Sequence, residues 1–344
     1  MNYILFDGTV RNALLPFTFT RPVADIRIGI LTIREKWEKY LGYTTTTLTE
    51  EYLSEKFPMV EMEDNVMINA SFLPNDILSE MVKSLEKNQA IFQGEEVIAF
   101  YTNDTQEEVD FDSYEIIEFN EECIKVQHTW DIFAKNDTAL REDFELITES
   151  RHSQPIPKSV NVISPENIFI EEGARLEFVT LNASTGPIYI GKNTEIMEGS
   201  VIRGPFALCE SGRVKLASKV YGATTVGPYS VIGGEVSNSV LFGYSNKGHE
   251  GFLGNAVLVG HKINLSIDLI NAALEKMNCG RLKNDAIDIE IMYKKYKDTS
   301  DKSYSIDDLC NEFKLPIIEE TAIPDLAYTV ALLFLKLKTR LGLK

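Results

Sequence analysis

The stretch IGKNTEIMEGSVIRGPFALCESGRVKLASKVYGATTVGPYSVI, residues 190–232, decides the fold. Aliphatic side chains stand at Ile190, Ile196, Ile202, Leu208, Val214, Val220, Val226 and Ile232, one at every sixth position. A helix repeats every 3.6 residues and a strand every two, so neither produces this period. A triangular parallel β-helix does, because each flat face takes six residues and turns one aliphatic side chain inward. Gly191, Gly199, Gly204, Gly222 and Gly227 recur near the expected corners, where the backbone must turn tightly. Upstream, Ile170 and Leu176 keep the spacing, and TLNASTGP (180–187) shifts the frame by two.

On either side the period disappears. Before residue 150, short apolar runs such as YILF (3–6) and VMINA (66–70) read as buried strands. IGILTIREKWEKYLG (28–42) and ILSEMVKSLEK (77–87) read as helices, the first stopped by Gly42. Strands alternating with helices predict an α/β sheet. From Leu258 onward the pattern is helical, in LINAALEKMNCG (269–280), IDIEIMYKKYK (287–297), SIDDLCNEFK (305–314) and the stretch ending near Gly342.

Bulk properties narrow the function. A formal net charge of -18 over 344 residues opposes nonspecific binding to nucleic acid, yet leaves room for a small phosphorylated substrate at a local basic cluster. The four cysteines, Cys123, Cys209, Cys279 and Cys310, have no metal-ligand spacing and read as reduced thiols of a cytoplasmic protein. MNYILFDGTV lacks a signal-peptide pattern, and AYTVALLFLKLK is too short to span a bilayer, so no membrane association is expected.

Chemistry concentrates in LLPFTFTRPVADIRIG (14–29), after the first strand. Arg11, Arg21 and Arg27 lie close together between a strand and a helix, where backbone N–H groups and guanidinium forks can hold phosphate. A solvated loop with scattered arginines is the competing reading.

Leu15, Pro16, Thr18, Arg21 and Pro22 resemble the L-P-x-T-x-x-R-P-K signature of sugar-1-phosphate nucleotidyltransferases. The glycine-rich turn is reduced to DGTVRN (7–12), and Val23 stands where the signature has lysine. Residues 1–257 resemble more fully a variant bacterial family of bifunctional N-acetylglucosamine-1-phosphate uridyltransferases/glucosamine-1-phosphate acetyltransferases. The likeness is carried by the opening stretch, INASFLP (68–74), WDIFAKN (130–136), IRGPFALCE (202–210), YGATT (221–225) and FGYSNKGHEGFLGNAV (242–257). It implies an α/β nucleotidyltransferase-like domain over 1–150 and a truncated left-handed parallel β-helix of acyltransferase type over 151–257. It further implies Mg²⁺, a nucleoside triphosphate and a sugar 1-phosphate as ligands, UDP-N-acetylglucosamine as product, and a homotrimer. Arg11 and Arg21 are the expected catalytic groups, and Arg11, Thr18, Arg21, Arg27 and Lys36 the expected phosphate-binding set. No metal ligand is marked; Asp7 is as readily structural. His249 matches the general base of the acetyltransferase half, which uses acetyl-CoA, although the family's further coils are missing here.

Residues 256–344 resemble the C-terminal half of a proofreading-type 3′–5′ exonuclease with an RNase H-like fold, in a mostly helical segment over 258–344. His261 and Asp325 fit its motifs, whereas Ser266 and Glu320 stand where an aspartate and a histidine are expected, and Asp268 is two places off. Nucleic-acid cleavage is therefore not expected, and Asp268, Asp288 and Asp325 read as solvated charges. The chain reads as two families joined near residues 257–260. The chief alternative to a working transferase is a noncatalytic remnant that oligomerises through its β-helix.

Overall fold

The computed structural model describes residues 1–103, 109–251, 258–260, 286–299, 303–315 and, nearer the end, 330, 332–334, 336–337 and 339–341. The chain divides into two compact units, Met1–Gly251 and Phe252–Lys344.

The first unit begins with a six-stranded sheet. Strand β1 (Asn2–Phe6) lies between β2 (Thr46–Leu48) and β3 (Asn65–Asn69), both parallel to it. β5 (Glu96–Thr102) runs antiparallel to β3, followed outward by β4 (Gln89–Gln93) and β6 (Glu115–Glu118). Helices α1 (Ile33–Leu41), α2 (Glu51–Ser54), α3 (Asp76–Lys83), α4 (Asp131–Ala134) and α5 (Asn136–Thr148) complete the domain. Trp37, Leu78 and Ala139 join Leu5 and Ile68 in one buried cluster, so helical and sheet residues share a core.

The helix expected over 28–42 starts only at Ile33. Gly29 has φ 74°, and the N–H groups of Gly29, Ile30 and Leu31 go to the side chains of Asn136 and Asp143. Thr32 then starts α1 with a capping box to Glu35. Tertiary partners thus take the donors that a first helical turn would have left open.

Residues 161–247 form a parallel β-helix of five coils, its three faces being three five-stranded parallel sheets. The eight hexad residues are buried, at 0–2% exposure, and fall in rotation on the three faces. Leu208, for example, pairs with Ile190 below and Val226 above. Burying each of these side chains stabilises by roughly 1.5–3 kcal/mol. The period stops at Ile232 for a structural reason. Ile232 pairs with Lys247, only fifteen positions on, whereas Val214 pairs with Ile232 at eighteen. The last coil is three residues short. One outer corner stacks Gly173, Asn193, Ser211, Tyr229 and Tyr244, all at positive φ, and the two tyrosine rings stack at 5.2 Å.

In the second unit Leu258–Gly260 pairs in parallel with Ala286–Asp288. Helices Ile289–Lys297 and Ile306–Phe313 follow. Ile289, Leu309, Leu333 and Leu337 are fully buried together. The helical expectation holds for Ile289–Lys297 and Ile306–Phe313, whereas Leu258–Gly260 and Ala286–Asp288, read as part of the helical pattern, are strands. LINAALEKMNCG, His261, Ser266, Asp268, Glu320 and Asp325 lie outside them. Among the described residues, no helix is long and apolar enough to cross a membrane.

Candidate active site

β1 leaves the sheet between β2 and β3, so the chain passes to one neighbour and returns on the other side. The crevice at the carboxyl ends of such strands is where open α/β sheets bind nucleotides. Here that edge carries a cavity of about 350 Å³ lined by Phe6, Asp7, Gly8, Arg11, Leu48, Thr49, Glu50 and Glu51.

Asp7 organises it. One carboxylate oxygen accepts the Val23 N–H at 2.6 Å; the other accepts Arg11 at 2.8 Å and the Thr49 hydroxyl at 2.6 Å. The aspartate therefore ties β1, the end of β2 and the arginine loop together. Gly8 follows at φ 61°, and a Cβ there would stand 3.1 Å from Asn69 Oδ1, so the turn leans against the end of β3.

Arg11 is buried on this edge. Besides Asp7 it donates to the Thr18 carbonyl at 2.6 Å and the Tyr52 hydroxyl at 2.7 Å, and its Nε lies 3.4 Å from Glu50. Thr18 is buried too, its hydroxyl donating to the Arg11 carbonyl at 2.8 Å.

The other basic residues of the motif have different neighbours. The Arg21 guanidinium lies 4.8 Å over the Phe242 ring of the last coil, and its Nε is buried without a hydrogen-bond partner. Burial lowers its pKa, against the pull of Asp25. Arg27 is buried where the α/β domain meets the β-helix, donating to the Ile30 carbonyl, with Cys209 Sγ at 3.9 Å and Glu35 at 3.3 Å. Lys36 is buried in an ion pair with Asp143, and desolvation pushes its pKa down despite that partner. The arginines lie close in sequence, but each guanidinium has a separate set of partners.

Those partners build a polar seam. Asn136 accepts the Gly29 N–H at 2.7 Å and donates to the Ala223 carbonyl at 3.0 Å. The Thr225 hydroxyl donates to the Gly29 carbonyl at 2.9 Å. Asp143 accepts the N–H groups of Ile30 and Leu31 at 2.7 and 3.0 Å. RIGIL (27–31) is thus pinned between α5 and the β-helix.

His249 is exposed two residues past the last β-helix strand. It lines a second cavity, about 390 Å³, with Met197, Lys215, Leu216, Gly233, Gly234, Gly248 and Glu250. A larger cavity of about 660 Å³ is rimmed by Asp76, Glu142, Glu145 and Glu149, beside Tyr40. Four carboxylates would repel a phosphate, so it does not compete as the nucleotide site.

Thr49, Glu50, Glu51 and Asn69 stand on the strand edge although no residue pattern singled them out. Asn69 lies inside INASFLP, and the rule that ligands meet parallel strands at their carboxyl ends would have pointed to it.

Residues 3–152 match the family model described as sugar nucleotidyl transferase. This domain supports a nucleotidyl transfer role. A comparison with curated proteins finds no match. The matched span takes in the whole strand edge and ends before the first β-helix strand, Asn161–Ile163. The exonuclease resemblance of residues 256–344 gains no support from these comparisons.

Proposed function

We propose that the α/β domain transfers a nucleotidyl group from a nucleoside triphosphate to a sugar 1-phosphate, with UTP and N-acetylglucosamine 1-phosphate as the first pair to try. The observation that carries this reading is the coincidence of the family match with a cavity at the carboxyl ends of β1 and β2 that holds Arg11. An oxygen of the sugar phosphate attacks the α-phosphorus in line. The new P–O bond forms as the bond to the β-phosphate breaks, and pyrophosphate leaves. Arg11 offsets the growing charge, exchanging its contacts with the exposed Glu50 and Tyr52 for phosphate oxygens. Arg21 would add a second guanidinium on leaving the Phe242 ring, over which it now rests with its Nε buried. Thr18 holds the Arg11 backbone, and Arg27 and Lys36, engaged in the seam, support the loop from behind.

The donor set fits Mg²⁺ arriving on the triphosphate. Among the described residues no cluster of three or more ligating side chains forms a cage, and Mg²⁺ is commonly held by one or two carboxylates plus substrate phosphates. Glu50 and Glu51, on the cavity rim, can supply these. When bound, the ion neutralises phosphate charge and aids departure of pyrophosphate.

The shortened β-helix weighs against the acetyl transfer in which His249 would take a proton from the sugar amino group as it attacks acetyl-CoA and coenzyme A leaves. The β-helix further suggests a homotrimer, which light scattering on the eluting protein would test, and a cytoplasmic setting suits these substrates. The deciding experiment measures pyrophosphate release with Mg²⁺, UTP and N-acetylglucosamine 1-phosphate, then with other triphosphates. Release that stops on chelation supports the transferase. Folded protein releasing none with any pair would favour a noncatalytic scaffold.

A further inference from the structure

The chain has two tryptophans, and the fold treats them in opposite ways. Trp37 is fully buried and its indole N–H donates to the Phe72 carbonyl at 2.9 Å. Trp130 is 56% exposed, a large apolar surface to leave in water. It is nevertheless held in place. His128 stacks on it with ring centroids 4.4 Å apart and planes 24° from parallel. The Asp131 carboxylate accepts the N–H groups of Gln127 and His128 at 2.8 and 2.9 Å, which shapes the turn presenting both rings. Phe133, 51% exposed, extends the apolar surface.

This turn borders the same strand edge. The Val126 N–H donates to the Ser71 carbonyl at 2.8 Å, just beyond β3. Lys125 is ion-paired with Glu96, and Glu96 lies 3.5 Å from Asn69 Nδ2. Asn69 in turn backs Gly8. Neighbouring residues thus lead from Arg11 and Asp7, beside β1, past Asn69 at the end of β3 to Glu96 and Lys125, five positions before Trp130.

We infer that Trp130, backed by His128, is the stacking platform for the nucleobase of the nucleoside triphosphate, whose phosphates extend toward Gly8 and Arg11. The inference rests on the nucleotidyl-transfer reading and deepens it. Both rings of this imidazole–indole pair are exposed, and the stack can take a third planar ring. A base needs the flat apolar face that Trp130 and Phe133 present, and the exposed Gln127 and His128 beside it can serve its polar edge. Stacking accepts any base, because every base has a π face. The platform therefore supplies affinity, and selection among bases falls to other groups.

Tryptophan fluorescence of the full chain tests this, because Trp37 is shielded. The protein is titrated separately with UTP, the other triphosphates and N-acetylglucosamine 1-phosphate, with equilibrium dialysis of labelled nucleotide in parallel. A saturable change with nucleotide, matching the dialysis Kd, lost in Trp130→Phe and not produced by the sugar phosphate, is the expected result. Trp130→Ala should raise the nucleotide KM about 5- to 150-fold, with Trp130→Phe recovering most of it. The sugar-phosphate KM and the melting temperature should not move. Nucleotide that binds by dialysis without changing the fluorescence, or an unchanged nucleotide KM in Trp130→Ala, overturns the platform and leaves the transferase standing. A response to the sugar phosphate alone also overturns it. Absence of any nucleotide binding overturns both.

Discussion

Single side chains at the junction of the two folds show how local chemistry is set by what packs around it. Glu171, on the first coil, accepts a two-pronged pair from Arg151 at 2.9 and 2.7 Å and the Tyr189 hydroxyl at 2.9 Å. Burial pushes its carboxyl up, but these bonds outweigh burial and hold it below the usual glutamate value. A carboxyl with a depressed folded pKa stabilises the fold above its unfolded pKa, about 4.3, and loses that contribution as pH falls through the folded value. The stability gap between wild type and Glu171→Gln should therefore be widest near pH 6 to 7 and close toward pH 3, read from denaturant midpoints across that range. Cys209 is the converse case. Burial raises its thiol to about 11, against the nearby Arg27. Iodoacetamide at pH 8 should leave Cys209 unmodified in the folded protein and alkylate it after unfolding, as peptide mapping would show. Labelling of the native state would mean that the seam opens.

Elements differ in how far their residues dictate them. The inner β-helix coils are over-determined, since an inward aliphatic, a corner in the left-handed region and a paired coil on each side agree. Leu208 is fully buried between Ile190 and Val226, so Leu208→Ala should cost about 2–5 kcal/mol. Leu216→Ala, at a corner position 57% exposed, should change stability by less than about 0.5 kcal/mol. Equal losses in urea unfolding would contradict the assigned inward register. The opening of α1 lies at the other extreme. GIL (29–31) continues a helical pattern in sequence, yet its donors are captured by Asn136 and Asp143 from another helix. Gly29 permits that capture, because a Cβ there would stand 2.7 Å from the Ala139 carbonyl oxygen.

At the scale of the molecule, the α/β domain and the β-helix belong to one compact unit, Met1–Gly251. Asn136, Thr225, Arg27 and Cys209 join them through buried hydrogen bonds, and Phe17 and Arg21 rest on Phe242. Buried polar groups that lose a partner are costly, so the seam opens only when one side unfolds. The two folds should therefore melt in one calorimetric transition. Asn136→Ala, which strips partners from Gly29 and Ala223, should separate it into two or lower it by several degrees. A wild-type protein that already melts in two separate steps would show that the seam does not couple them.

The sequence by itself determined the β-helix, because one face of one coil needs only six consecutive residues and repeats its demand visibly. It also determined the α/β character of the first domain, through apolar runs that are local. The position of the strand edge was legible only in part: the arginine motif and INASFLP lie on it, but their spacing does not say which groups meet. Arg11, Arg21, Arg27 and Lys36 sit within 26 positions of one another, yet one faces the strand ends, one an aromatic ring of the β-helix, and two the seam. Only the tertiary structure decided this. A charged side chain goes to whichever partner repays its desolvation, and here those partners, Asp7, Phe242, Cys209 with Glu35, and Asp143, lie on separate elements, most of them far along the chain.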